Sequence, residues 1–248
     1  MIRCMILFIV LYHFSLVGTA QTHIQNSTND SLNYIVGKIA NGKLNDRQKV
    51  KAVYDWITSN ISYDYEREMS FKITGKDSTQ TSIGDILKFR KGICMDYAKL
   101  AKAMLCSLNI KCELVTGIGR SGDNDLTDFS SPYNRHAWNE VMVDGKWLPL
   151  DCTWGSINKI GEKSDSTFFL ATPAQFIYSH YPDSVKWIPQ NTPFTSTQFF
   201  SLPIIYFENA EIALNKIPLD GVLTNSNGLF EYHNITKLDI KNIDLGQS

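Results

Sequence analysis

Outside its first twenty residues the sequence has no apolar run approaching the ~20 residues that cross a bilayer, and it has no internal repeat and no low-complexity tract. Charge of one sign is also missing. Lys and Arg total 24 against 25 Asp and Glu, a net charge of −1, and the basic residues are scattered, so nothing in the charge pattern favours a nucleic-acid partner. Cysteine is sparse. Five among 248 residues, with no Cys-x-x-Cys pair and no His-x-x-x-His spacing, argue against a disulfide-stapled scaffold and a structural zinc site. No metal or organic cofactor is expected. What is present is ordinary for a folded domain: 43% hydrophobic and 20% charged residues exclude disordered and fibrous chains.

The one concentrated apolar stretch, Met5 to Val17, follows Arg3 and precedes Gly18-Thr19-Ala20. A basic start, a short apolar centre and small residues at the cleavage positions predict a signal peptide over residues 1–20, cut after Ala20. The chain is then expected outside the cytoplasm, secreted or periplasmic, without stable membrane insertion. Cys4 leaves with that segment, and Cys94, Cys106, Cys112 and Cys152 remain. Cys106 and Cys112 are close enough in sequence to bridge, but buried free thiols are the preferred expectation.

Spacing predicts helix from Leu32 to Ile61, where Val50, Val53, Tyr54 and Ile57 recur at intervals of three and four and Asp46 offers an N-cap for the second half. Residues 62–82 show no sustained period and read as a long loop. Short helix is expected at Ile83 to Phe89, and longer helix from Cys94 to Leu108, closed by Asn109. A strand at Lys111 to Gly117, a polar loop over 119–134, and strands Arg135–Val143 and Lys146–Thr153 follow. The Asp144-Gly145 pair between the last two is a strong hairpin signal. Beyond residue 160 come another strand-like run and a helix opened by Thr172-Pro173 that reaches His180. The expected organisation is the signal peptide, a catalytic domain with extension over 21–200, and a β-rich segment over 201–248.

Cys94 stands at a predicted helix start, where unpaired backbone N–H groups and the helix dipole favour a thiolate and can hold an oxyanion. Alone, such a cysteine is more often a small buried hydrophobe. The hairpin changes the weighing. A two-residue turn places Trp138 opposite Asp151 and makes His136 and Asp151 diagonal neighbours on one face, with Cα atoms roughly 7–8 Å apart. A carboxylate there would hold an imidazole in the tautomer that a cysteine nucleophile needs. His180 and His233 have no acid or thiol that spacing can bring to them. Asp123, Asp125 and Asp128 lack the Gly and Glu of an EF-hand loop and read as solvated. Trp138, Trp147 and Trp154 suit either a substrate groove or packing around the hairpin.

Three blocks carry a resemblance: Gly92-Ile93-Cys94-Met95-Asp96-Tyr97-Ala98, Arg135-His136-Ala137-Trp138-Asn139-Glu140-Val141, and Asp144-Gly145-Lys146-Trp147 through Leu150-Asp151-Cys152-Thr153-Trp154. Together they resemble the core of the transglutaminase-like superfamily, in which they bear the catalytic Cys, His and Asp in this order. The resemblance implies Cys94 as nucleophile, His136 as general base and Asp151 as the orienting acid. Trp56-Ile57 with Asn60-Ile61-Ser62-Tyr63-Asp64 is similar to the segment that begins that core. Phe168 through Pro173, His180-Tyr181-Pro182 and Trp187-Ile188-Pro189 are similar to the extension of kyphoscoliosis-peptidase-type members, as is Phe199 to Pro203. Cys152 departs from the Pro that usually follows the Asp. The resemblance implies an α+β, papain-like fold, a helical part carrying the Cys against an antiparallel sheet carrying His and Asp. It also implies acyl transfer through a thioester on a peptide or protein substrate. The alternatives are a non-catalytic binding module on the same fold and a protein transglutaminase.

Overall fold

The computed structural model describes residues 30–75, 81–120, 134–157, 166–188, 195–201, 230–232 and 235–238. The expected signal peptide, Asp123, Asp125, Asp128, His233 and most of the 201–248 segment lie outside those residues. Among the described residues, no helix is long and apolar enough to cross a membrane.

The expected helix from Leu32 to Ile61 is two helices, α1 over residues 30–39 and α2 at Asp46–Asn60. Gly42, at φ 104°, turns the chain between them. The N-cap of α2 is Asn45, one residue ahead of the expected Asp46. Its Oδ1 accepts the Gln48 N–H while Gln48 Oε1 accepts the Asn45 N–H, a closed capping box.

Residues 62–82, expected as loop, contain β1 at Ser62–Tyr63 and helix α3 at Tyr65–Thr74. No α3 residue is buried, so the helix carries no apolar period for spacing to reveal. It is held by ends instead: Asp64 caps its start and Gly75, at φ 66°, closes it. Helix α4 at Ile83–Phe89, strand β2 at Lys91–Gly92 and helix α5 at Cys94–Ser107 follow. The bounds of α4 agree with expectation, β2 lies where no strand was expected, and α5 ends one residue short of the expected Leu108, with Asn109 following in the left-handed region at φ 59°.

Strand β3 at Cys112–Gly119, β4 at Arg135–Val143 and β5 at Lys146–Leu150 make an antiparallel sheet, completed by β6 at His180–Pro182 in the order β5-β4-β3-β6. Val143 faces Lys146 and the register runs to Asn139 opposite Leu150, as the Asp144-Gly145 turn requires. Both turn residues have positive φ, 51° and 75°, the backbone of a type I′ turn. Strand β5 stops three residues short of the expected Thr153, because helix α6 begins at Cys152. The strand-like run after residue 160 is a 3-10 turn at Ser166–Phe168 plus a single bridge from Phe169 to Leu150. Helix α7 spans Pro173–Phe176, N-capped by Thr172, and ends short of His180, which opens β6. Helix α8 lies at Ser196–Ser201, and Phe230–Tyr232 (β7) pairs with Ile235–Leu238 (β8) as a separate hairpin.

The sheet is covered on both faces, so β4 is buried along almost its whole length. Val141 and Val143 join the main core with Val53, Ile57, Ile86, Leu100, Met104 and Leu105 from α2, α4 and α5. Each such aliphatic side chain contributes about 1.5–3 kcal/mol on burial. The alternate residues, His136, Trp138 and Glu140, face the other way, toward α6, α7 and β6.

Candidate active site

Cys94 is the first residue of α5, and the parallel bridge of Tyr63 to Gly92 delivers it there. Gly92 is required by crowding: a Cβ at that position would stand 2.7 Å from the Asp96 Cβ. Asp96 is fully buried and accepts the Ile93 N–H at 3.0 Å, fixing the turn into the helix. Arg67 of α3 pairs with the same carboxylate oxygen and ties that helix to the turn before Cys94. The N-cap itself is Ile93, whose side chain accepts nothing, so no cap consumes the first amides of α5.

His136 lies near the start of β4, 8% exposed, and Asp151 follows the end of β5, fully buried. His136 Nε2 meets Asp151 Oδ2 at 2.7 Å. The diagonal placement expected from the hairpin register is realised. Cys94 lines the same cavity as His136 and is close enough to contribute to the upward shift of its pKa. Asp151 Oδ1 accepts the N–H groups of Thr153, at 2.7 Å, and Trp154, at 3.0 Å, so the same carboxylate caps α6. The rings of His136 and Trp154 stack at 4.9 Å, over Gly119 of β3. A Cβ on Gly119 would come within 2.9 Å of both.

Burial drives the His136 imidazole toward neutrality, but the Asp151 charge and hydrogen bond outweigh it, and with Cys94 they raise its pKa to about 10. Asp151 is held well below the usual carboxylate range: burial opposes this, and the charge and hydrogen bond of His136 and the hydrogen bond of His180 overcome it.

Spacing could not connect His180 to an acid, and the structure corrects this. His180 is 1% exposed and its Nε2 lies 3.1 Å from Asp151 Oδ2. It arrives by pairing of β6 with β3, where Gly119 faces His180, a neighbour across some sixty residues of chain that no local pattern encodes. Burial lowers its pKa to about 4 against the pull of Asp151.

A cavity of about 290 Å³ opens beside the sulfur, lined by Tyr63, Glu68, Ile93, Cys94, Arg135 and His136 among others. Burial, then Cys94 and Glu68, push the Tyr63 phenol far above its ordinary range and keep it a donor. The three tryptophans divide. Trp138 and Trp154 are buried packing beside His136, while Trp147 meets Trp187 at 5.2 Å edge to face. All four described cysteines are free; Cys112 is buried as expected, Cys106, expected to be buried, is exposed, and Cys152 is buried.

His136, Asp151 and His180 bring three ligand-type atoms within 4.8 Å of one another. Their separations of 2.7 and 3.1 Å are hydrogen-bond distances. Two ligands about 2.1 Å from a tetrahedral ion stand roughly 3.4 Å apart, so the trio is closed on its own protons.

Residues 33–152 match the model described as the transglutaminase-like superfamily. The chain is similar to kyphoscoliosis peptidase of Mus musculus, 31% identical over 182 residues that cover 71% of this chain and 27% of that protein. It is similar also to kyphoscoliosis peptidase of Homo sapiens, 30% identical with the same two shares. The chain thus spans little more than a quarter of these relatives. Among solved structures, the periplasmic domain of TgpA from Pseudomonas aeruginosa covers 50% of this chain, with 42% of that domain, at 20% identity and a TM-score of 0.38.

Proposed function

Residues 33–152 are a transglutaminase-like domain, and from that premise we propose that the chain is a cysteine-nucleophile acyl-transfer enzyme, a peptidase or amidase with Cys94, His136 and Asp151 as its triad. The observation that supports this is the Asp151–His136 hydrogen bond at 2.7 Å, with His136 and Cys94 together on the wall of an open cavity. The Cys94 thiolate, its proton already resting on His136, attacks the carbonyl carbon of a peptide or side-chain amide. Backbone N–H groups at the start of α5 face the oxyanion. The tetrahedral intermediate collapses, His136 gives the proton to the leaving amine, and a thioester remains on Cys94. Water activated by the now neutral His136 hydrolyses it; an amine in place of water gives transfer. Export after cleavage at Ala20 belongs to the same proposal and is checked by N-terminal sequencing of the secreted protein.

Iodoacetamide labelling followed residue by residue tests the chemistry. Cys94 should be modified much faster than the exposed Cys106, and the buried Cys112 and Cys152 hardly at all. Cys94 and Cys106 responding alike would point to a binding module. Against a peptide library the wild type should cleave and Cys94→Ala should not; incorporation of an amine probe without cleavage would favour a transglutaminase.

A further inference from the structure

We infer that His180 is a positioning residue: its N–H and that of His136 converge on one oxygen of Asp151 and together fix the carboxylate that orients the base. The inference rests on the triad proposed above and extends it to a residue 28 positions beyond the end of the matched core.

The placement is over-determined. The His180 ring lies flat on Phe176, with centroids 3.8 Å apart and planes at 15°, against Trp154 at 4.2 Å and edge-on to Trp138 at 5.0 Å. Its Nδ1 meets the Ser179 hydroxyl at 2.8 Å. If packing alone mattered, phenylalanine would stack as well without the cost, about 1–3 kcal/mol, of burying a polar ring. Both ring nitrogens are instead engaged, one with Ser179 and one with Asp151. A cationic His180 would put a second buried positive charge on a carboxylate already shared with His136, 5.3 Å away ring to ring. The neutral ring therefore donates from Nε2 and accepts at Nδ1. With two backbone N–H groups on Oδ1 and two imidazole N–H groups on Oδ2, Asp151 has no freedom to rotate. Among the described residues, the ionisable groups facing His180 are Asp151 and His136, with Glu140 on the same small cavity beyond Trp138. Those on the cavity around Cys94 are His136, Tyr63, Glu68, Lys72 and Arg135.

The test uses the full chain and two variants, His180→Phe, which keeps the stacked ring and loses the donor, and His180→Gln, which keeps a donor. Cys94 alkylation by iodoacetamide is followed from pH 4 to 9, with Cys106 as internal reference. At pH 5, His180→Phe should react at Cys94 at least about tenfold more slowly than wild type, the scale set by loss of an orienting partner. His180→Gln should recover most of the rate, and Cys106 should not change. A folded His180→Phe protein whose profile superimposes on wild type overturns the inference. If wild-type Cys94 itself tracks Cys106, the triad fails instead. Nitrogen-15 spectra of the wild type give a readout independent of Cys94 and of any variant's folding. His180 should remain a neutral Nε2–H tautomer from pH 5 to 8, and an Nδ1–H tautomer or titration near 6.5 would also overturn it.

Discussion

The two layers that meet on β4 are built from different materials. The layer of α2, α4 and α5 is aliphatic, with Val53, Ile57, Leu100, Met104 and Leu105 closing on Val141 and Val143. The layer on the opposite face is aromatic and polar: Trp138, Trp154, Phe168 and Phe176 enclose His136, Asp151, Glu140 and His180. Aliphatic packing stabilises without directing, and here it holds a helix whose tip is a cysteine. Flat rings leave a buried polar group few orientations, and the weakly polarisable space around it strengthens every charge interaction. One strand thus separates the part of the molecule that holds shape from the part that holds a proton network.

The contrast can be broken most severely at Asp151. Asp151→Asn leaves the buried His136 without its counter-charge, so a loss of about 3–5 kcal/mol in denaturant unfolding is expected, together with loss of Cys94 labelling at pH 5. On the aliphatic side, Leu100→Ala should cost about 2–5 kcal/mol and leave the pH profile of Cys94 labelling unmoved. A displaced profile there would show that the two layers are not independent. Glu140 sharpens the comparison. Burial raises it to about 8, above its ordinary 4.5, so the folded chain keeps a proton that the unfolded chain releases and stability falls as pH rises through that interval. Glu140→Gln removes this slope. Its melting temperature should exceed that of wild type by more at pH 8 than at pH 5, a shift on the scale of about 1.4 kcal/mol per pKa unit. Smallest is the rim pair of Arg135 and Asp183, at 2.8 Å and partly exposed. Asp183→Asn should change stability by no more than about 1 kcal/mol.

What the sequence revealed divides along the same strand. The hairpin register, and with it the pairing of His136 with Asp151, is set by two adjacent turn residues and could be read locally. So could the helix that starts at Cys94. Helix α3 escaped because it buries nothing and therefore shows no period. The end of β5 was misjudged because Asp151 serves two masters, accepting from His136 on one oxygen and capping α6 with the other. His180 escaped for a different reason: it reaches the site only through the pairing of β6 with β3, and the glycines at 117 and 119 that make room for the rings gave no hint of what they accommodate.

Arg120 follows directly on β3, and its buried guanidinium donates to the carbonyl oxygens of Tyr178, at 2.9 Å, and Phe199, at 3.0 Å. Both acceptors lie beyond residues 33–152, the segment that matches the superfamily. A chain shortened to that segment would lose both acceptors, the Phe199 ring under the guanidinium and His180, and would uncover the Trp138 face of the sheet that Phe176 now covers. Stripping the protein to its recognisable motif would therefore give a less soluble and poorly reactive fragment. The smallest autonomous unit should extend through Ser201.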